Sequence, residues 1–210
     1  MQYTLFGSRG SGSAAIEAAL LLCRLPYRQV RAATWEADSA LDELARVNPL
    51  RQVPTLVLPG GQALTESAAI LIHLGLTQPQ GGLLPVAADA QAQALRGLVF
   101  IAANCYAAIG IIDYPERWTT ASTQAAREKV RQGARRQLHR HWEIFADTFH
   151  AEPYLSGPAL GALDLLAAVV SRWAGARAHL DECRPQFMQV LRRVEADEAV
   201  RAVFAAHWDA

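Results

Sequence analysis

The chain has 210 residues, with 20 basic against 20 acidic side chains, so its formal net charge is zero. Hydrophobic residues make up 51% and charged ones 19%, which excludes a disordered chain and supplies apolar material for one large core or two small ones. Balanced charge also argues against a dominant nucleic-acid or anionic-membrane surface, which an excess of Lys and Arg would have to provide.

Gln2–Phe6 is a short apolar strand that stops at Gly7. Ser11 or Ser13 can cap a helix running to about Arg24, with Ile16, Leu20 and Cys23 on one face and Glu17 and Arg24 off it. Leu25-Pro26 ends that helix, and Tyr27–Ala32 alternates as a half-buried strand does. Asp38 or Ser39 can cap a short helix over Ala40–Val47, which Asn48-Pro49 breaks. Val53–Leu58 is a strand that begins through Pro54, and Pro59-Gly60-Gly61 turns it into Gln62–Leu64 as a hairpin. Glu66-Ser67 opens a helix to about Thr77. The order βαβα then ββα is not the steady alternation of a doubly wound dinucleotide fold.

Gln78–Pro85 (QPQGGLLP) has the composition of a linker. Beyond it every strong signal is helical: Ala90–Ile112, Gln124–Phe149, Leu163–Ala174, Phe187–Val194 and Glu198–Ala206. The expected organisation is a small α/β domain over residues 1–78, a connector over 79–87 and an all-helical domain over 88–210.

Lys129 is the only lysine, so a phosphate-binding loop ending Gly-Lys-Ser/Thr is excluded. Cys23, Cys105 and Cys183 form no Cys-x-x-Cys pair, which excludes a dithiol redox motif and a zinc knuckle. His139 and His141 lie on different helix faces without a Cys/His partner pair, so no metal site is expected. The opening residues lack a signal-peptide pattern and no run of 18 apolar residues occurs, so a reduced, soluble, cytoplasmic protein without a membrane segment is expected.

Three local features carry chemistry. Gly7–Ser13 (GSRGSGS) is a hydroxyl-rich turn before the first helix, where free N–H groups favour an anion and a serine can lower a thiol pKa. Val53-Pro54 starts a strand with a residue that cannot donate to the ladder, and a cis bond there would expose the preceding backbone to an extended peptide. Thr65-Glu66-Ser67 places a carboxylate, a hydroxyl and a helix start together, suited to a ligand with both an ammonium and a carboxylate group.

Together, Asn48-Pro-Leu-Arg-Gln-Val-Pro-Thr-Leu56 and Leu64-Thr-Glu-Ser-Ala-Ala-Ile70 resemble the cytosolic glutathione S-transferase family, of bacterial and serine type, over essentially the whole chain. The resemblance implies an α/β thioredoxin-like N-terminal domain followed by an all-α C-terminal domain. It also implies a cis Pro54, the Val53 main chain on the cysteinyl part of glutathione, Glu66 and Ser67 on the γ-glutamyl end, and Gln52 near the glycyl carboxylate. For the hydroxyl beside the thiol, the turn offers Ser8, Ser11 and Ser13; aligning back from Leu25-Pro26 lands on Gly10 to Gly12, and Ser11 is the first choice. Tyr106, Ile109, Tyr114 and Trp118 fall where the family lines its acceptor pocket. The implied partners are glutathione as co-substrate, a small hydrophobic electrophile and a second copy in a homodimer, with no nucleic acid, membrane or metal. The function expected is conjugation of the glutathione thiolate to an apolar electrophile. Rival expectations are a glutathione-dependent peroxidase, reductase or isomerase, and a non-catalytic ligand-binding protein. At Tyr154–Asp164 the family's Ser/Thr cap is replaced by Gly161 while Asp164 remains, and the helix is expected to survive.

Overall fold

The computed structural model describes residues 2–36 and 38–208. Four strands, β1 (Tyr3–Gly7), β2 (Tyr27–Arg31), β3 (Thr55–Val57) and β4 (Ala63–Leu64), form one sheet in the order β2-β1-β3-β4. The β1–β2 pair is parallel, joined through α1 (Ser13–Leu22), whereas β1–β3 and β3–β4 are antiparallel. Side chains alternate across a strand, so Leu5 and Phe6 of β1 face opposite ways. Leu5 and Leu56 pack under α1 and α3 (Ser67–Thr77); Phe6 and Val30 pack under α2 (Leu41–Val47) through Leu44. The sheet is therefore covered on both faces, as the alternation of elements requires.

The caps differ in detail from the sequence expectation. Gly12 is the cap residue of α1, and Ser11, one position earlier, accepts the Ser13 N–H at 3.2 Å. Ala40 precedes α2, while Ser39 is turned away to bond both the N–H and the carbonyl of Ala33. After α3, Pro79–Gly81 makes a 3₁₀ turn, and Leu83 and Leu84 of the same proline- and glycine-rich stretch are buried rather than solvated.

The remainder is helical. Ala88–Phe100 (α4) continues through a π-helical turn, Ile101–Tyr106, into α5 (Ala107–Asp113). A 3₁₀ turn at Pro115–Trp118 leads to the long α6 (Gln124–Thr148), capped by Thr123, whose hydroxyl accepts the Ala126 N–H. Then come α7 (Ala162–Val170), α8 (Ala176–Cys183), α9 (Pro185–Ala196) and α10 (Arg201–His207). The continuous stretch Ala88–Asp113 is 26 residues and apolar enough, by length and composition, to cross a bilayer. Here its Leu98, Ile101, Cys105, Ile109 and Ile112 are buried in the core that it shares with α6 and α7. Every residue of α7 is buried, and this helix packs on α1, α3 and α4, which joins the sheet and the helices around one core.

The start of α7 shows how Gly161 is accommodated. The fully buried Asp164 carboxylate accepts N–H groups from Leu155, Ser156 and Gly161 at 2.7, 3.0 and 3.1 Å. A β-carbon on Gly161 would lie 2.6 Å from Ser156 Cβ and 2.8 Å from the Leu83 carbonyl oxygen. The serine usually preferred as a cap is thus excluded by contact, although caps generally favour it. Gly161→Ser is expected to lower stability by about 1–3 kcal/mol through overpacking. An unfolding midpoint in urea at or above the parent's would show that the loop yields instead.

At the other end of the chain, α10 is tied to α1. Gly10 N–H donates to His207 Nδ1 at 3.2 Å, which leaves the ring proton on Nε2 to donate to Glu17 Oε1 at 2.8 Å. Glu17 Oε1 also accepts from Gln29 Nε2 at 2.7 Å. Both Glu17 and His207 are buried, so removing one partner leaves polar groups with fewer bonds in a dry place. His207→Ala is expected to cost about 2 kcal/mol and to speed hydrogen exchange of the Gly10 amide, because a buried charged acceptor loses a donor. Unchanged stability and exchange would show this tie to be idle.

Candidate functional site

Three segments converge at one corner of the sheet: the turn after β1, the loop before β3 and the start of α3. The middle one is shaped by Asn48, whose side chain is buried and works in both directions. Its Nδ2 donates to the Gln52 carbonyl at 3.1 Å and to Thr55 Oγ1 at 2.9 Å, while Oδ1 accepts the Leu50 N–H at 3.1 Å. Thr55 Oγ1 donates to the same Gln52 carbonyl at 2.8 Å. These bonds hold the loop so that Gln52 is exposed, Val53 half-buried and Pro54 buried, with the Val53–Pro54 bond cis as the resemblance implied. The start of α3 is similarly defined: Glu66 takes a left-handed φ of 64° and is exposed, and Ser67 follows it into the interior.

The turn Gly7–Ser13 is a closed set of hydrogen bonds. Ser8 Oγ donates to the Glu36 carboxylate, which this hydroxyl and then the Arg31 guanidinium hold below its ordinary range. Ser11 Oγ donates to the Ser8 carbonyl at 2.7 Å, and Ser13 Oγ lies 3.2 Å from that carbonyl, 3.0 Å from Ser11 Oγ and 3.5 Å from Glu17 Oε1. A hydroxyl has one hydrogen to donate. All three serines are buried, and each has an acceptor for that hydrogen within the protein.

Gly12 faces the other two segments. A β-carbon there would lie 3.2 Å from Pro54 Cδ, 3.4 Å from Ser67 Oγ and only 2.4 Å from Tyr106 Oη. The absent side chain is what lets the phenol of the helical part reach the turn. Tyr106 closes the π-helical segment, and its ring lies against Trp173 with centroids 5.6 Å apart. Burial pushes its hydroxyl up to about 12, partly offset by hydrogen bonding with Ser67.

The other residues expected to line an acceptor pocket differ in exposure. Ile109 is part of the hydrophobic core, whereas Tyr114 and Trp118 stand at the surface, Trp118 61% exposed, with the Arg117 guanidinium 4.0 Å from the centre of the Tyr114 ring. Residues that sequence reasoning missed complete the turn from behind. Glu17 and His207 brace it, and Trp208 Nε1 lies 3.7 Å from where a β-carbon of Gly10 would be. The one signal for Glu17 was its charge in an otherwise apolar helix; nothing local pointed to His207. Among the described residues, Glu143, His179 and Cys183 bring potential metal-ligand atoms within 4.8 Å of one another.

Comparison with known proteins agrees with this geometry. The family description "Glutathione S-transferase, N-terminal domain" matches residues 13–76. The GST-like protein YncG of Escherichia coli K12 is 33% identical over 172 residues, covering 80% of each chain. Glutathione S-transferase GstA of Escherichia coli O157:H7 is 28% identical, covering 77% of this chain and 78% of that one. Among solved structures, a glutathione transferase homologue from Sulfitobacter with bound glutathione superposes with a TM-score of 0.84 at 24% identity over 96% of each chain. A glutathione transferase from Methylococcus capsulatus gives 0.76 at 26% identity over 98% of each chain. With its thioredoxin-like sheet unit, its helical bundle and this degree of kinship, the chain belongs to the glutathione S-transferase family.

Proposed function

We propose that the protein is a glutathione transferase that joins the glutathione sulfur to an electrophilic carbon of a small apolar acceptor. The observation that carries this reading is that a β-carbon on Gly12 would lie 3.2 Å from Pro54 Cδ and 3.4 Å from Ser67 Oγ, which brings the three segments together, while the neighbouring Gln52 and Glu66 are exposed. Such a corner suits an extended tripeptide that carries charge at both ends. In this reading the Val53 main chain pairs with the cysteinyl residue. Glu66 receives the γ-glutamyl ammonium, and the first N–H groups of α3 at Ser67 receive its carboxylate. Gln52 stands near the glycyl carboxylate and serves it as a neutral donor. The Sulfitobacter homologue, which has the same fold, carries glutathione.

The chemistry asked of the protein is modest: hold the thiol as thiolate and bring the acceptor to it. A sulfur lone pair forms the new C–S bond, the leaving group departs with the electron pair of the bond it loses, and the thiol proton passes to solvent. The exposed rings of Tyr114 and Trp118 are the apolar surface this reading offers to the acceptor. The protein acts as a homodimer in this reading, and the exposed apolar side chains of Leu76 and Val99 are candidates for the contact. Light scattering is expected to give twice the chain mass of 22.8 kDa; a single-chain mass at micromolar concentration would refute the dimer.

Glutathione at about 100 times its dissociation constant is expected to stabilise the protein by about 2.7 kcal/mol, read as a rise in melting temperature. Glu66→Gln is expected to weaken binding about three- to tenfold, since an exposed charged hydrogen bond is at stake. Absence of any shift with glutathione, together with no conjugation of several electrophiles, would refute the function.

A further inference from the structure

Resting on the glutathione reading, we propose that the hydroxyl holding the thiolate is the phenol of Tyr106, supplied by the helical part of the chain, and that Ser11 serves to build the turn. If the cysteinyl residue pairs with Val53, its sulfur falls at the edge where Gly12 meets Pro54. The side-chain position at that edge is vacant because residue 12 is glycine, and the atom that comes into the space is Tyr106 Oη, 2.4 Å from where a β-carbon would be. A protein hydroxyl is therefore already aimed at the place the sulfur would take, but it does not come from the turn.

The turn's own hydroxyls are committed elsewhere. The Ser8 hydrogen goes to Glu36, that of Ser11 to the Ser8 carbonyl, and that of Ser13 has the Ser8 carbonyl, Ser11 Oγ and Glu17 in reach. For Ser11 to serve a thiolate it would have to release a 2.7 Å bond in a buried turn. Tyr106 bonds with the Ser67 hydroxyl, and since either hydroxyl can donate, the phenol hydrogen can turn to a thiolate while Ser67 donates to its oxygen. The tyrosine also sits at the end of a π-helical turn, a backbone insertion that re-aims side chains and recurs at functional sites. Its raised hydroxyl value keeps it a neutral donor throughout the range in which a thiol ionises.

In the reaction the phenol keeps its proton. It donates one hydrogen bond to the thiolate, whose proton has gone to solvent, and that bond is released as the sulfur lone pair becomes the C–S bond.

The test uses wild type, Tyr106→Phe, Gly12→Ala and Ser11→Ala as full-length proteins. Each is titrated calorimetrically with glutathione, followed by its ultraviolet thiolate band against pH and by turnover of an activated aryl chloride. Tyr106→Phe keeps the ring against Trp173 and is expected to raise the bound thiol's pKa by about one unit or more and to lower kcat about 10- to 100-fold. Glutathione affinity is expected to change less than about threefold, the pattern of a group that acts on the reacting atom rather than on uniform binding. Gly12→Ala, which displaces the phenol without removing any hydroxyl, is expected to shift the thiol pKa in the same direction. The proposal is overturned if both variants titrate like wild type, or if Ser11→Ala moves the thiol pKa and Tyr106→Phe does not. A wild-type protein that gives no binding heat and no thiolate band overturns the glutathione reading itself, a result distinct from binding with an unmoved pKa.

Discussion

The structure is organised around a helix that has almost no contact with water yet carries polar groups. Residues Ser13 through Leu20 of α1 are buried, with the sheet, α3, α7 and α10 around them. A carboxylate in such a place costs several kcal/mol unless it is hydrogen-bonded. Glu17 meets that demand by drawing Gln29 from β2 and His207 from α10 to one oxygen, with Ser13 close by. His207 in turn receives the Gly10 N–H, so the turn ahead of the helix is fastened by the same set of bonds. The position of the last helix, the shape of the first turn and the edge of the sheet all follow from satisfying one acid.

A turn held this way is well ordered, and for the same reason its hydroxyls are engaged. Ser8, Ser11 and Ser13 look from the sequence like free chemical groups; in the folded protein each hydroxyl has a protein acceptor in reach. The vacancy at Gly12 lets a side chain of the π-helical turn reach the corner. Under the proposed function, the sheet unit recognises the tripeptide and the bundle supplies both the polar contact to sulfur and the apolar surface for the acceptor.

Much of this was legible in the sequence where the determining interactions are local. Asn48 through Leu56 marked the loop and strand because Asn48, Gln52 and Thr55 bond within a span of seven residues. Glu66-Ser67 marked the start of α3 for a similar reason. Helix α8 escaped notice because Ala176 and Leu180 are its only buried residues, too few to make an apolar stripe among Arg177, His179, Asp181 and Glu182. Ser39 looked like a cap but is occupied by the Ala33 backbone, a competition that propensity does not register. Tyr106 was placed with an acceptor pocket by the family resemblance alone. In the structure Tyr106, at the end of the π-helical turn, reaches Gly12, while Ile109, three residues later, lies in the core. The pairing of His207 with Glu17 spans 190 residues and no local pattern could reveal it.

That separation also has a meaning for how the protein is made. Translation delivers the strands, the turn and Glu17 long before the histidine that completes their bonding. A nascent sheet unit must keep this carboxylate wet or held by Gln29 alone, with the Gly10 amide still exchanging with water. The Gly10 amide gains its His207 acceptor only when residue 207 has left the ribosome and folded back. The order of synthesis thus makes α10 the closing piece of this set of bonds.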